Sequence, residues 1–157
     1  MRGNPQVLTV LRELLKYELT VINQSFLHAR MCLDWGYDNL AKRIRKDSVA
    51  NMVYAEQLID RILFLEGMPN LRDTYSLKIG SDVGEIHAHD RKLAKKTAGC
   101  ANAGIKTCVE HDDDASRELI EGIVTKEEDR IDWLESQLQI IKDAGLGLYL
   151  AQQIRTG

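Results

Sequence analysis

The stretch Leu11-Arg12-Glu13-Leu14-Leu15-Lys16-Tyr17-Glu18-Leu19-Thr20-Val21-Ile22 sets Leu11, Leu14, Leu15, Glu18 and Ile22 at steps of three and four residues. An α-helix turns once in about 3.6 residues, so these side chains share one face. Four of them are apolar and the fifth is a carboxylate. The stripe continues through Val7 on one side and through Phe26 and Ala29 on the other. It predicts an amphipathic helix from about residue 5 to 35. Trp35-Gly36-Tyr37 closes it, with Gly36 available for a left-handed cap.

The pattern recurs along the chain. A second helix is expected from about 38 to 66, with Ile44, Met52, Ala55, Ile59, Ile62 and Leu63 on its buried side. Gly67 and then Pro69 stop it. Residues 67–81 show no helical period, and neighbouring helices of a bundle are usually joined by only about 2–8 residues. Such a crossover lets the second and third helices run parallel. The third helix, about 82 to 111, carries Gly84, Gly99 and Gly104, each of which lowers helix propensity. Asp112-Asp113-Asp114 suits the N-terminus of a fourth helix, which runs to about 143 with Leu119, Ile120, Ile123, Val124, Ile131 and Leu134 on its apolar side. Gly145 and Gly147 precede a short helix from about 148 to 155. The expectation is an all-α fold over residues 1–157 as one domain. It is a four-helix bundle with a long crossover and a short fifth, C-terminal helix.

Composition narrows the function. The net charge of −3 argues against nucleic acid, because phosphate backbones need clustered Lys and Arg. Lys95-Lys96 and the group Arg43, Arg45 and Lys46 read as exposed faces. No apolar run reaches the roughly 20 residues that span a bilayer. The start Met1-Arg2-Gly3-Asn4-Pro5 lacks the apolar core of a secretory signal. Cys32, Cys100 and Cys108 form no CxxC pair and read as structural thiols of a reducing cytoplasm.

The informative residues are charges within apolar stripes. Glu18 lies in phase with Leu14, Leu15 and Ile22, and Glu127 with Ile120, Ile123, Ile131 and Leu134. A buried carboxylate is costly unless it is paired or binds metal. Either each sits at the edge of its stripe and reaches solvent, or the two converge on an interior site of oxygen ligands suited to iron or manganese. A bundle-core di-iron site takes a Glu from each of two helices and a Glu-x-x-His pair from each of the other two. Here Arg130 stands where Glu127 would need its His. The second helix offers Asn51-Met52-Val53-Tyr54, and the third has Ala94 at the inward position.

Several segments resemble the bacterioferritins over essentially the whole chain. They include Ile22-Asn23-Gln24, Phe26-Leu27-His28-Ala29-Arg30-Met31, Arg61-Ile62-Leu63-Phe64-Leu65-Glu66-Gly67, Pro69-Asn70-Leu71, Ile131-Asp132-Trp133-Leu134-Glu135 and Gln153-Ile154-Arg155. The resemblance implies a ferritin-like bundle, a shell of twenty-four subunits built from two-fold dimers, an iron mineral inside, and haem b at dimer interfaces. It implies a ferroxidase site at which Glu18 and Glu127 are kept while Asn51, Tyr54, Ala94 and Arg130 depart. Ser25 stands where the family often has a tyrosine. Lys46 and Ala50 stand where an inner-surface iron would expect His and Asp.

Two consequences follow from that resemblance. Arg130 is expected to pair with Glu127 and Glu18 in place of the missing metals, with Tyr54 adding a hydrogen bond, so that the residual metal ligands Glu18 and Glu127 hold one weak cation at most. Met52 reads by itself as a gap-filling core residue, but its matching position implies the thioether ligand of a shared haem, lined by Leu19, Asn23 and Phe26. The implied function is an iron-storage subunit that binds haem and co-assembles with a ferroxidase-competent second chain, with a ferredoxin-type electron donor. The competing readings are a homopolymeric ferroxidase using a rearranged site around Glu18 and Glu127, and a binding protein that merely reuses the bundle. Among the histidines, His28 reads as structural, His87 and His89 cannot face one site from a straight helix, and His111 reads as part of a solvated turn.

Overall fold

The structure is a computed structural model that describes residues 1–154. Its elements are α1 (Pro5–Asp34), α2 (Asp38–Phe64), α3 (Val83–Glu110), α4 (Asp114–Ala144) and a short α5 (Leu146–Ala151). Local chemistry starts each long helix but one. Asn4 Oδ1 accepts from the N–H groups of Gln6 and Val7 with Pro5 at the first turn, Asp82 accepts from Glu85, and Asp113 accepts from Ser116. Tyr37 precedes α2 without a side-chain cap. Gly36 takes the expected left-handed conformation, with φ 91°. The end of α2 differs from expectation. The helix stops at Phe64, and Glu66, not Gly67, carries the positive φ of 63°. The fifth helix starts at Leu146 and is six residues long. The end of its expected span and the match at Arg155 lie outside the described residues.

The crossover tracks α1 along its length. Arg12 donates to the carbonyl of Met68, and then the backbone N–H groups of Tyr75, Lys78 and Gly80 donate to side chains of Thr20, Gln24 and His28. The loop therefore ascends α1 by about one helical turn at each of these last two steps. It delivers the chain to the top of the bundle, so α3 descends parallel to α2. Where α3 passes α1 again, Gly104 allows the approach: a Cβ there would come within 2.4 Å of Val10 Cγ1. At Gly104 the lower helix propensity is thus the cost of close packing against α1, whereas Gly99 faces open space.

Two cores fill the bundle. One gathers Leu11, Leu14, Leu15, Leu58, Ile62, Ala101, Ile120 and Ile123. The other lies toward α5 and gathers Cys32, Leu40, Ile44, Ile86 and Tyr149. Between them runs a polar layer. Three expected core residues lie outside: Phe26, Met52 and Leu63 are each more than half exposed, because they sit on the outer side of the α1–α2 pair. Cys32 and Cys108 are buried and Cys100 is partly so. Burial pushes these thiols up, Cys32 to about 12 and the others to about 11, which keeps them protonated. Among the described residues, no helix is long and apolar enough to cross a membrane.

Candidate functional site

Glu18 on α1 and Glu127 on α4 are fully buried and converge, which is the second of the two arrangements that the stripe pattern left open. Both meet the same two donors. Asn51 Nδ2 donates to Glu18 Oε2 at 2.6 Å and to Glu127 Oε1 at 3.2 Å. Lys126 Nζ lies 3.3 Å from Glu18 Oε2 and 3.0 Å from Glu127 Oε1. One amide and one ammonium therefore bridge the two carboxylates. Burial pushes the Glu18 carboxyl up to about 7 against the lowering pull of Lys126, and the neighbouring charge of Glu127 adds to the rise.

Arg130 does not pair with Glu127 or Glu18. Its guanidinium donates to Ser25 Oγ at 2.6 Å and to Asn51 Oδ1 at 3.3 Å, and lies 3.8 Å from Asp90 Oδ2. The reason is a second buried acid. Asp90 on α3 is 2% exposed and accepts from Gln24 and from His28 Nδ1, both at 2.9 Å. His28 Nε2 in turn accepts from the Gly80 N–H, so Nδ1 must carry the proton. Burial opposes ionisation of Asp90, yet the His28 hydrogen bond and the Arg130 charge outweigh it and hold the carboxyl below its ordinary range. Arg130 thus serves Asp90, and Asn51 links the two acid clusters by donating to one and accepting from the cation of the other.

The remaining positions contribute no metal ligand. Ala94 is buried and offers a methyl group. Tyr54 turns away from the carboxylates: its hydroxyl packs where a Cβ on Gly122 would lie 2.9 Å away, and Lys126 Nζ sits 5.1 Å from its ring centroid. It donates no hydrogen bond to Glu18 or Glu127, contrary to expectation. Lys46 is exposed. Ala50 borders a cleft of about 200 Å³, lined also by Arg43, Asp47, Lys126 and Asp129, that leads down to Asn51 and Arg130. Among the described residues, no group of three or more His, Cys, Asp or Glu side chains is placed to hold a metal. A di-iron centre does not fit this donor set. Two carboxylates stand where six ligands are needed, and the Lys126 ammonium bridges them where positive metal would sit.

Met52 is 54% exposed and does not fill the core. Ser48 donates to the Ile22 carbonyl, which fixes the α1–α2 register and sets Met52 near the level of Leu19. Phe26, Val49 and Val53 are exposed apolar residues, Asn23 is exposed and Leu19 is half-buried. An outward thioether on an apolar face is a donor set that fits a haem iron, which accepts soft sulfur ligands.

Two residues of the site were missed from sequence, Lys126 and Asp90. Asp90 had a signal, since it falls one turn before Ala94 in the stripe Ile86, Asp90, Ala94, Thr97. That stripe is made of small residues and reads weakly. Lys126 had none, because its helical position is on the edge of the bundle and only its long stem brings the ammonium inward. Three of the four histidines behave as structure: His28 and His87 are buried, and His111 accepts from Asn4 and donates to Gln6, tying the α3–α4 turn to the start of α1.

Residues 8–144 match the Ferritin family, described as the ferritin-like domain. The chain is 42% identical over 152 residues to a bacterioferritin of Mycobacterium leprae, covering 97% of this chain and 96% of that one. The same identity and coverage hold for bacterioferritin BfrA of Mycobacterium tuberculosis. A Streptomyces coelicolor bacterioferritin is 39% identical over 154 residues, covering 98% of this chain and 92% of that one. These relatives support an iron-storage function of the ferritin-like kind. Full-length similarity at this level, on a four-helix bundle with a parallel crossover and a short fifth helix, shows that the chain belongs to the bacterioferritin family.

Proposed function

We propose that this chain is a haem-holding, iron-storing subunit of a cytoplasmic bacterioferritin shell, and that a second, ferroxidase-competent bacterioferritin chain oxidises the iron. The observation that carries the reading is the pair of cationic and amide donors on Glu18 and Glu127. With those donors in place the Lys126 ammonium offsets one carboxylate charge and the Asn51 amide hydrogen-bonds both acids. Glu18 Oε1 and Glu127 Oε2 remain without hydrogen-bond partners, which leaves room for a single weakly held cation. Iron is the cargo of the shared cavity.

Met52 would hold haem b through its sulfur, with Leu19, Asn23 and Phe26 against the ring and a matching face from a second copy. Haem supplies electron transfer for releasing stored iron, with a ferredoxin-type protein as donor. The chain's own part is to present a soft ligand on an apolar surface that a neighbouring subunit covers.

The test is oxygen consumption by the purified chain with ferrous iron. The chain alone should stay near the protein-free rate. The variant Asn51→Glu, Tyr54→His, Ala94→Glu, Arg130→His should gain oxidation only when Lys126→Ala is added, because the ammonium occupies the metal position. Oxidation by the unmodified chain as fast as by that fivefold variant would instead support a homopolymeric ferroxidase with a rearranged site. Intact-mass analysis of the native shell would show whether the second chain is present.

A further inference from the structure

A cavity of about 470 Å³ lies between α1, the crossover and α3, apart from the carboxylate site. Its volume falls in the range of small-molecule pockets, roughly 300–1,000 Å³. Three lysines and a histidine line it: Lys78 from the crossover and His89, Lys92 and Lys96 from α3. His89, Lys92 and Lys96 share one face of α3 because they follow steps of three and four residues. Among the described residues, no carboxylate lines the cavity. Among the described residues, none lies within 4.0 Å of the ammonium groups of Lys78, Lys92 or Lys96. The neighbouring Arg91 and Lys95, by contrast, reach Glu135 at 3.1 and 3.7 Å. Lys16 adds a further positive charge behind the wall, 4.2 Å from the Tyr75 ring centroid.

The opposite wall is fixed in place. Tyr75 and Lys78 are pinned by backbone N–H bonds of 2.9 Å to Thr20 and to Gln24, and Gln24 is itself bound to buried Asp90. Tyr75 packs on Tyr17 at 4.6 Å between ring centroids, and its hydroxyl donates to Glu13. Like charges gathered around one preformed hollow repel each other, and that repulsion is relieved when a multiply charged anion enters.

We propose that this pocket binds a small phosphorylated anion. Several ammonium groups acting as point charges suit a phosphate dianion. The hollow is larger than a bare oxyanion requires, which leaves room beside Tyr17 and Leu93 for an organic part.

The experiment is calorimetric titration of the assembled, iron-free protein at low ionic strength, with inorganic phosphate and with ATP in separate runs. Both are repeated with the Lys92→Gln/Lys96→Gln variant. These two lysines are exposed, so the variant should keep its helical circular dichroism and particle size. The proposal expects saturable binding that weakens by roughly tenfold or more in the variant, as two charge-assisted contacts are lost. Tighter binding of ATP than of phosphate assigns the site to an organic phosphate, and equal binding assigns it to the free ion. The proposal fails if neither probe binds saturably. It also fails if the variant binds as well as the parent, or if chloride at matched ionic strength competes as effectively as phosphate.

Discussion

Lys126 is the residue on which the interior chemistry turns. It is the one cation within 4.0 Å of both Glu18 and Glu127 among the described residues. Removing one partner of a buried charge cluster is costly, so Lys126→Ala should destabilise the subunit by about 3 kcal/mol at pH 8. The sign of the pH dependence follows from Glu18. Its carboxyl is raised from 4.5 to about 7, so across that window the folded chain holds a proton that the unfolded chain has released. Stability from this group falls as pH rises toward 7 and is restored as pH falls. Without Lys126 the carboxyl rises further, and the window in which stability falls extends to higher pH. Chemical denaturation should show the loss shrinking to about half or less near pH 5, and an equal loss at pH 5 and pH 8 would contradict this. At this scale the sequence revealed the two carboxylates, because each lies in phase with a stripe of large apolar residues. It did not reveal which cation serves them. Arg130 has the ideal spacing from Glu127, but Asp90 and Ser25 capture its guanidinium from across the bundle.

The elements show a similar division. Hydrophobic period and stop residues located the four long helices to within a few residues, and the length of the aperiodic segment required a crossover. The path of that crossover was invisible, since Thr20, Gln24 and His28 hold it by side-chain bonds to backbone groups across more than 50 residues of sequence. The docking of α5 was equally hidden. It rests on Tyr149, whose hydroxyl accepts from His87 Nε2 at 3.0 Å and donates to Gln137 at 2.7 Å, with Trp133 edge-on to the imidazole. Burial, with the charge of Arg130 behind it, outweighs the opposing charge of Asp90 and lowers His87 from 6.5 to about 4. An unfolded chain therefore takes up this proton at higher pH than the folded one. The stability His87 contributes is complete above pH 6.5 and is lost as pH falls toward 4, up to roughly 3 kcal/mol. His87→Gln keeps a donor for Tyr149 and removes the titration. Its melting temperature should depend less on pH between 6.5 and 4 than that of the parent. Parallel curves would show that His87 does not titrate with unfolding.

At the scale of the whole molecule, the proposed function joins the exposed face around Phe26, Val49, Met52 and Val53 with the Lys126-bridged carboxylates of the interior in one division of labour. In that proposal the subunit presents its sulfur outward and holds no di-iron pair inward. Met52→Leu keeps the volume and removes the soft ligand, so shells should assemble with their haem content greatly reduced. Unchanged haem stoichiometry and spectrum would remove Met52 from that role. Anomalous diffraction at the iron edge reads the interior site itself, on crystals of this chain alone soaked aerobically in ferrous iron. It should show no pair of irons between Glu18 and Glu127, with Lys126 and Asn51 still on the carboxylates. Two adjacent, fully occupied irons bridged by Glu18 and Glu127 would contradict this.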